Sequence, residues 1–166
     1  MKLNLTRSEL CKMEKDSIIK FVDDNKSYLT GRVLDYGCFK QPYRDLVSGE
    51  YCPYNRKDNY IPEGIGTIEG TYDAILCNQV IQYVSDIDEL FSLFYKLLNN
   101  GGVAIITYPT NWDEVEALDL CRFTKKGIEL FVKTIGFKII EHKLRWKLEF
   151  KDFNMNGGYG IIIKKI

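Results

Sequence analysis

The residues best placed to do chemistry stand where short apolar runs end. Val33-Leu34 leads into Asp35-Tyr36-Gly37, an acid and a glycine directly after a buried-type strand. A glycine there lets the backbone approach a nucleotide-like ligand, and the acid before it can take a positive or hydrogen-bonding group. Only Gly37 is present where a dinucleotide fingerprint needs three glycines, and no Gly-Lys-Ser/Thr follows. Neither a nicotinamide site nor a phosphate-cradling loop is therefore indicated. The structural alternative is that Asp35 and Gly37 only cap and turn the chain. Asn78 and Gln79 follow a second run, Asp73–Cys77, and either contact a ligand or cap loop backbone. Tyr108 and Trp112, after a third run, either line an acceptor pocket or pack a lid.

Other reactive side chains carry weaker signals. The five cysteines (Cys11, Cys38, Cys52, Cys77 and Cys121) are odd in number and never spaced CxxC, which argues against a disulfide scaffold or a zinc ribbon. No metal site is expected, and Cys38 and Cys77 read as packing residues. His142, the only histidine, falls on the apolar side of an alternating strand and reads as a core or rim residue. The candidates for a base are Asp119, Tyr83 and Glu116; none has a signature, so no catalytic residue is assigned.

These residues need elements to hold them. Periodicity predicts a charged helix from about Arg7 to Asn25 capped by Thr6, strands at Val33–Tyr36, Tyr51–Tyr54, Asp73–Cys77 and Val103–Thr107, and a short helix around Tyr43 to Val47. Ser85 is expected to open a helix with Ile87, Leu90, Phe91, Phe94 and Leu98 on one face, closed by Asn99–Gly102. Thr124 caps a second amphipathic helix bearing Ile128, Phe131, Val132 and Ile135, stopped by Gly136. Strands Phe137 to about Phe150 and Tyr159–Ile163 then follow without an intervening helix, so they pair antiparallel. Alternating strands and helices give an α/β fold, a doubly wound, mostly parallel sheet with an antiparallel C-terminal strand pair. Its ligand belongs outside the carboxyl ends of the strands.

Composition sets the outer bounds. A chain of 166 residues, 45% apolar and 13% aromatic, has the material for one core, so 1–166 reads as a single domain with 1–29 a helical N-terminal lid or cap. No run is long enough to span a membrane and no signal-peptide core opens the chain, so a soluble cytoplasmic protein is expected. The net charge of zero hides an asymmetry: residues 1–120 hold 12 Lys and Arg against 19 Asp and Glu, whereas residues 121–166 hold 11 against 4. That basic third reads as a solvated strand face, because Lys143, Arg145, Lys147 and Lys151 alternate with apolar residues. The other reading is a surface for an anionic partner, or for a homodimer or protein partner.

Taken together the motifs resemble those of class I S-adenosylmethionine-dependent methyltransferases. Val33 to Leu46 resembles a first motif V-L-D-x-G-C-G-x-K-P-Y-R-x-L, and Tyr51–Asn55 a second-strand Y-x-G-x-D. Thr71–Val84 looks like the fourth-strand S-F-D-A-V-L-C-x-Q-V-L-E-H-V, and Leu98–Pro109 like L-R-P-G-G-V-L-I-x-T-x-P. Asp119, Arg122, Phe123, Thr124, Gly127, Ile128, Phe131, Gly136 and Phe137 fall on a later pattern. The resemblance covers about residues 30 to 142 and implies a Rossmann-like fold. It implies S-adenosylmethionine as cofactor, with S-adenosylhomocysteine as product. It places cofactor contacts at Asp35, Tyr36, Gly37, Asn55, Asn78 and Gln79.

The departures are specific. Phe39 replaces the second glycine, where a ring would crowd the cofactor, and Asn55 replaces the ribose-binding acid. Gln82-Tyr83 replaces Glu-His, Leu118 stands where a His commonly precedes the Asp, and Arg56–Gly70 lacks the third-strand acid. The expected activity is methyl transfer by in-line displacement to a small-molecule or sugar-linked acceptor. The alternative is a methyltransferase-like module that has lost turnover and binds a partner. Zero net charge and no Asn-Pro-Pro-Tyr-type motif argue against a nucleic-acid substrate.

Overall fold

Thr6 begins the first helix as its side chain suggests: its hydroxyl accepts from the Glu9 N–H while the Glu9 carboxylate accepts from the Thr6 N–H. In the computed structural model, which describes residues 5–56, 64–110, 119–149 and 154–166, this helix, α1, spans Arg7–Asp24. Strands β1 (Arg32–Tyr36) and β2 (Glu50–Tyr54) follow, then β3 (Tyr72–Asn78), α2 (Ile87–Leu97) and β4 (Leu98–Tyr108). The chain ends with α3 (Lys125–Ile135), β5 (Phe137–Leu144), a small hairpin of β6 (Lys147–Glu149) and β7 (Asn154–Asn156), and β8 (Tyr159–Lys165).

The main sheet runs β2-β1-β3-β4-β8-β5. β1, β2, β3 and β4 are parallel, and β8 enters antiparallel between β4 and β5. This is the expected doubly wound, mixed sheet. From β1 the chain goes outward to β2 and then returns to lay β3 on the other side of β1. That reversal opens a crevice between the carboxyl ends of β1 and β3.

Alternation along the strands divides the core in two. Leu34, Ile75, Cys77, Ile106 and Ile161 pack against Leu90, Phe91 and Phe94 of α2 and Ile128 and Val132 of α3. Val33, Ala74, Leu76, Ile105 and Ile162 pack on the opposite face against Ile18, Phe21 and Val22 of α1. By the same period of two, Asp35, Asn78 and Thr107 fall on the α1 side at the carboxyl ends of three adjacent strands.

Three boundaries differ from expectation. Asp86, not Ser85, caps α2, its carboxylate accepting from the Glu89 N–H at 2.9 Å. Asn99–Gly102 does not cap the helix: α2 passes directly into β4 at Leu98, and those residues form a bulge opposite the Tyr72–Ala74 step of β3. The strand expected from Phe137 to Phe150 breaks after Leu144, because Arg145 turns inward; Phe150 itself lies outside the described residues. Both sheet edges are irregular: β2 carries Pro53, and β5 bulges at Ile140 with Lys138 and Lys143 exposed on either side.

Candidate active site

Asp35 ends β1 almost wholly buried, 1% exposed, and among the described residues it accepts a hydrogen bond from the Tyr51 hydroxyl of neighbouring β2. Burial pushes its carboxyl up to about 6, and the Tyr51 bond pulls the other way without cancelling it. A strand-end carboxylate held at such cost is a mark of a functional position. Gly37 follows with φ +83, and an added Cβ would lie 2.3 Å from a γ-methyl of Val80. Only glycine fits this turn. The Gly37 and Cys38 N–H groups both donate to the Tyr54 carbonyl, at 2.8 and 3.1 Å, which ties the turn to the end of β2.

The other expected positions are distributed around this crevice. The Tyr36 ring turns to the α2 face and packs edge-on against Phe94, centroids 5.3 Å apart. Asn55 follows β2 and bridges Ile65 through its backbone, and its side-chain amide donates to the Arg56 carbonyl. Asn78 accepts from the Thr107 hydroxyl at 3.0 Å, but its own amide nitrogen is buried with no partner among the described residues. Gln79 adopts φ +56 and donates to the same Thr107 hydroxyl at 3.3 Å. Phe39 does not plug the turn: its ring is 56% exposed, with φ +39 in the glycine-like region that its family position would favour.

A cavity of about 110 Å³, with polar and apolar walls, lies beyond this crevice. Glu14 of α1, Gln79, Gln82 and Tyr83 after β3, and Pro109 after β4 form its walls, and Asp119 with Arg122 closes it. Gln82 and Tyr83 sit on a single helical turn after β3, Ile81–Tyr83. The Gln82 carbonyl accepts from the Leu120 and Cys121 N–H groups at 2.8 and 3.2 Å, docking the Asp119–Arg122 segment onto that turn. Its side-chain nitrogen donates to the Gln79 carbonyl, and its side-chain oxygen is buried without a partner among the described residues.

Each carboxylate of the cavity is held by its own arginine. Asp119 accepts from two nitrogens of Arg122. Glu14 accepts from Arg145 through one oxygen and from the Trp146 indole N–H, at 2.6 Å, through the other. The Arg145 guanidinium also donates to Ser17 Oγ and the Tyr159 carbonyl, and its side chain is 0% exposed. Arg145 is thus not part of a solvated basic face, as alternation suggested; it fastens α1 to the end of β5. His142 is a core residue as expected, its ring bridging the Tyr108 hydroxyl at 2.8 Å and Glu129 at 2.9 Å. Burial depresses its imidazole below the ordinary value. Tyr108 is accordingly buried in the core rather than lining the cavity, while Trp112, Glu116 and Leu118 lie outside the described residues.

Sequence reasoning missed Glu14 and Thr107 as site residues, and marked Gln82 only as a departure from the family pattern. Glu14 sits mid-helix on α1 with no motif around it. Thr107 could have been found, because strand alternation puts it level with Asp35 and Asn78. Among the described residues no cluster of His, Cys, Asp and Glu could hold a metal ion, and no helix is long and apolar enough to cross a membrane.

The site residues fit the amino-acid end of S-adenosylmethionine. A buried amide donor without a partner among the described residues, Asn78, stands at the strand end beside that of the Asp35 carboxylate, and the Gly37 turn has no side chain of its own. A family model described as a methyltransferase domain matches residues 14–154. A search of curated proteins finds no match. Among solved structures, a SAM-dependent methyltransferase from Archaeoglobus fulgidus is 12% identical, covering 92% of this chain and 94% of its own, with a TM-score of 0.67. A putative S-adenosylmethionine-dependent methyltransferase from Listeria monocytogenes is 14% identical over 94% of this chain and 99% of its own, TM-score 0.63. Magnesium protoporphyrin IX methyltransferase from Synechocystis PCC 6803, with bound SAH, is 10% identical over 100% of this chain and 90% of its own, TM-score 0.58. The structures establish the shared fold. The family model, which matches residues 14–154 and so spans most of the chain, establishes that the chain belongs to the methyltransferase-domain family it describes.

Proposed function

We propose that the protein transfers a methyl group from S-adenosylmethionine to a small-molecule or sugar-linked acceptor held in the cavity. One observation carries this reading: the turn after β3 faces both sites at once. Val80 covers Gly37, whereas Gln79 and Gln82, on either side of it, line the cavity. A cofactor at the β1–β3 crevice and an acceptor in the cavity would then meet across one short segment. Asp35, Tyr36, Gly37, Asn55, Asn78 and Gln79 are the positions assigned to the cofactor, and α1 acts as a cap over the site.

When bound, the cofactor supplies an activated methyl on a sulfonium. The protein's task is then to orient and to exclude water rather than to activate. Asp35 and the Asn78 amide offer an acceptor and a donor for the amino-acid end. Gln82, its amide nitrogen held by the Gln79 carbonyl, and Glu14, oriented by Arg145 and Trp146, fix the acceptor side. Alignment of this kind is worth about 7–11 kcal/mol in favourable cases.

A thermal melt with S-adenosylmethionine and with S-adenosylhomocysteine tests the reading. Ligand at about 100 times its dissociation constant should add about 2.7 kcal/mol, a rise of several degrees. The second reading, a binding module without turnover, draws on the Val80 methyl seated on Gly37 and on the Gly37 and Cys38 N–H groups committed to Tyr54. An unshifted melt with both ligands would favour it.

A further inference from the structure

We infer that the acceptor group is a neutral amine. This rests on the methyl-transfer reading above and names the chemistry of its second substrate.

The cavity wall holds one buried acceptor that is not yet used. The side-chain oxygen of Gln82 is buried, in a residue 3% exposed, and has no partner among the described residues. Its orientation is fixed, because the amide nitrogen is committed to the Gln79 carbonyl. A buried acceptor left unpaired is destabilising, and a ligand N–H or O–H recovers that loss on binding. The carboxylates of Glu14 and Asp119 stand in the same wall. Each is balanced by its arginine, Arg145 or Arg122, so the cavity does not carry the uncompensated negative charge that would select a permanent cation. A neutral group that donates hydrogen bonds is what this surface complements.

Chemistry separates an amine from a hydroxyl. A hydroxyl reacts well only if a base removes its proton as the bond forms. Among the described residues the carboxylates of the wall are Glu14 and Asp119; both oxygens of Glu14 already accept from Arg145 and Trp146, and both of Asp119 from Arg122, so taking a proton would mean giving up bonds that hold the wall together. An amine needs no base in that step. Its lone pair forms the new N–C bond as the C–S bond breaks, and the bonding pair leaves on sulfur, giving a neutral thioether. The positive charge passes from sulfur to nitrogen, where the Gln82 side-chain oxygen accepts from an N–H of the new ammonium. The surplus N–H proton departs afterwards to water. At about 110 Å³ the cavity admits a small amine-bearing head group rather than a large ring system.

The test supplies methyl-labelled S-adenosylmethionine and a deproteinised cell extract to the full chain, with labelled small molecules located by mass spectrometry. A parallel reaction uses extract whose amines have been blocked with acetic anhydride. Label on nitrogen, abolished by acetylation, is the expected result. Label on oxygen, sulfur or carbon, or label that survives acetylation, overturns the amine while leaving the methyl-transfer reading in place. A melt that shifts with the cofactor while no small molecule is labelled also overturns it. A melt that does not shift overturns both readings, at the cofactor step. With the labelled amine in hand, Gln82→Leu and Gln82→Met should each raise its KM roughly tenfold, as loss of one buried hydrogen bond predicts, with the cofactor-induced melt shift retained. Unchanged KM in both variants would remove Gln82 from the acceptor site and overturn the assignment.

Discussion

Glu14 and Asp35 are both buried carboxylates near the same end of the sheet, and the protein treats them in opposite ways. Glu14 is saturated: Arg145 and Trp146 take both oxygens, and the ion pair ties the first helix to the far end of the chain. Among the described residues Asp35 is left with a phenol and no counter-charge, and burial raises its carboxyl to about 6. A buried pair with full hydrogen bonding locks one arrangement. A buried acid without a partner is destabilising unless something else binds it. The difference separates the part of the site that is framework from the part that awaits a ligand.

The largest effect that follows is at Arg145. Arg145→Met strands the Glu14 carboxylate and should cost about 3–5 kcal/mol, seen in chemical denaturation. A loss under about 1 kcal/mol would mean that Glu14 is solvated and the contrast with Asp35 is false. Asp35→Asn should do the reverse. Below about pH 4 the acid is protonated in both folded and unfolded chains. As pH rises from its ordinary 3.8 to about 6 the unfolded chain ionises first, so the native state loses stability through that window. At pH 7 the asparagine variant should therefore be more stable than the parent by roughly 3 kcal/mol, while its response to S-adenosylmethionine falls. Equal stability at pH 7 would show that Asp35 is not held at a cost.

His142 tests the comparison in a base. Its imidazole is depressed below 6.5, so stability should decline as pH falls through that value, where the unfolded chain takes up the proton first. His142→Phe should remove that acid-side decline and, by orphaning the Tyr108 hydroxyl, cost about 1–3 kcal/mol at pH 7. The smallest effect is Thr6→Ala, about 1 kcal/mol from the lost cap, with no change in cofactor response. A larger loss would mean that α1 is held by its own start rather than by Arg145.

Much of this fold is legible in the sequence because it is local. The amphipathic faces of α2 and α3, the capping threonines and the apolar strands all declare themselves within a few residues. The crevice residues Asp35 and Gly37 were legible for the same reason. Arg145 was not: its neighbours alternate like a solvated strand, and what turns it inward is a glutamate 131 positions earlier. Glu14 is unreadable for the mirror reason, since nothing in a helix turn says that its partner is an arginine near the chain's end. The unpaired oxygen of Gln82 depends on the whole cavity and has no sequence signature.

The two irregular edges of the main sheet bear on how copies of the chain meet. A regular edge strand offers a row of open N–H and C=O groups on which another molecule's strand can grow. Here Pro53 removes a donor from one edge, and the Ile140 bulge, flanked by Lys138 and Lys143, breaks the spacing and adds charge at the other. Neither margin is a good template. Concentrated solutions of the folded protein should therefore resist strand-on-strand polymerisation at either margin of the main sheet.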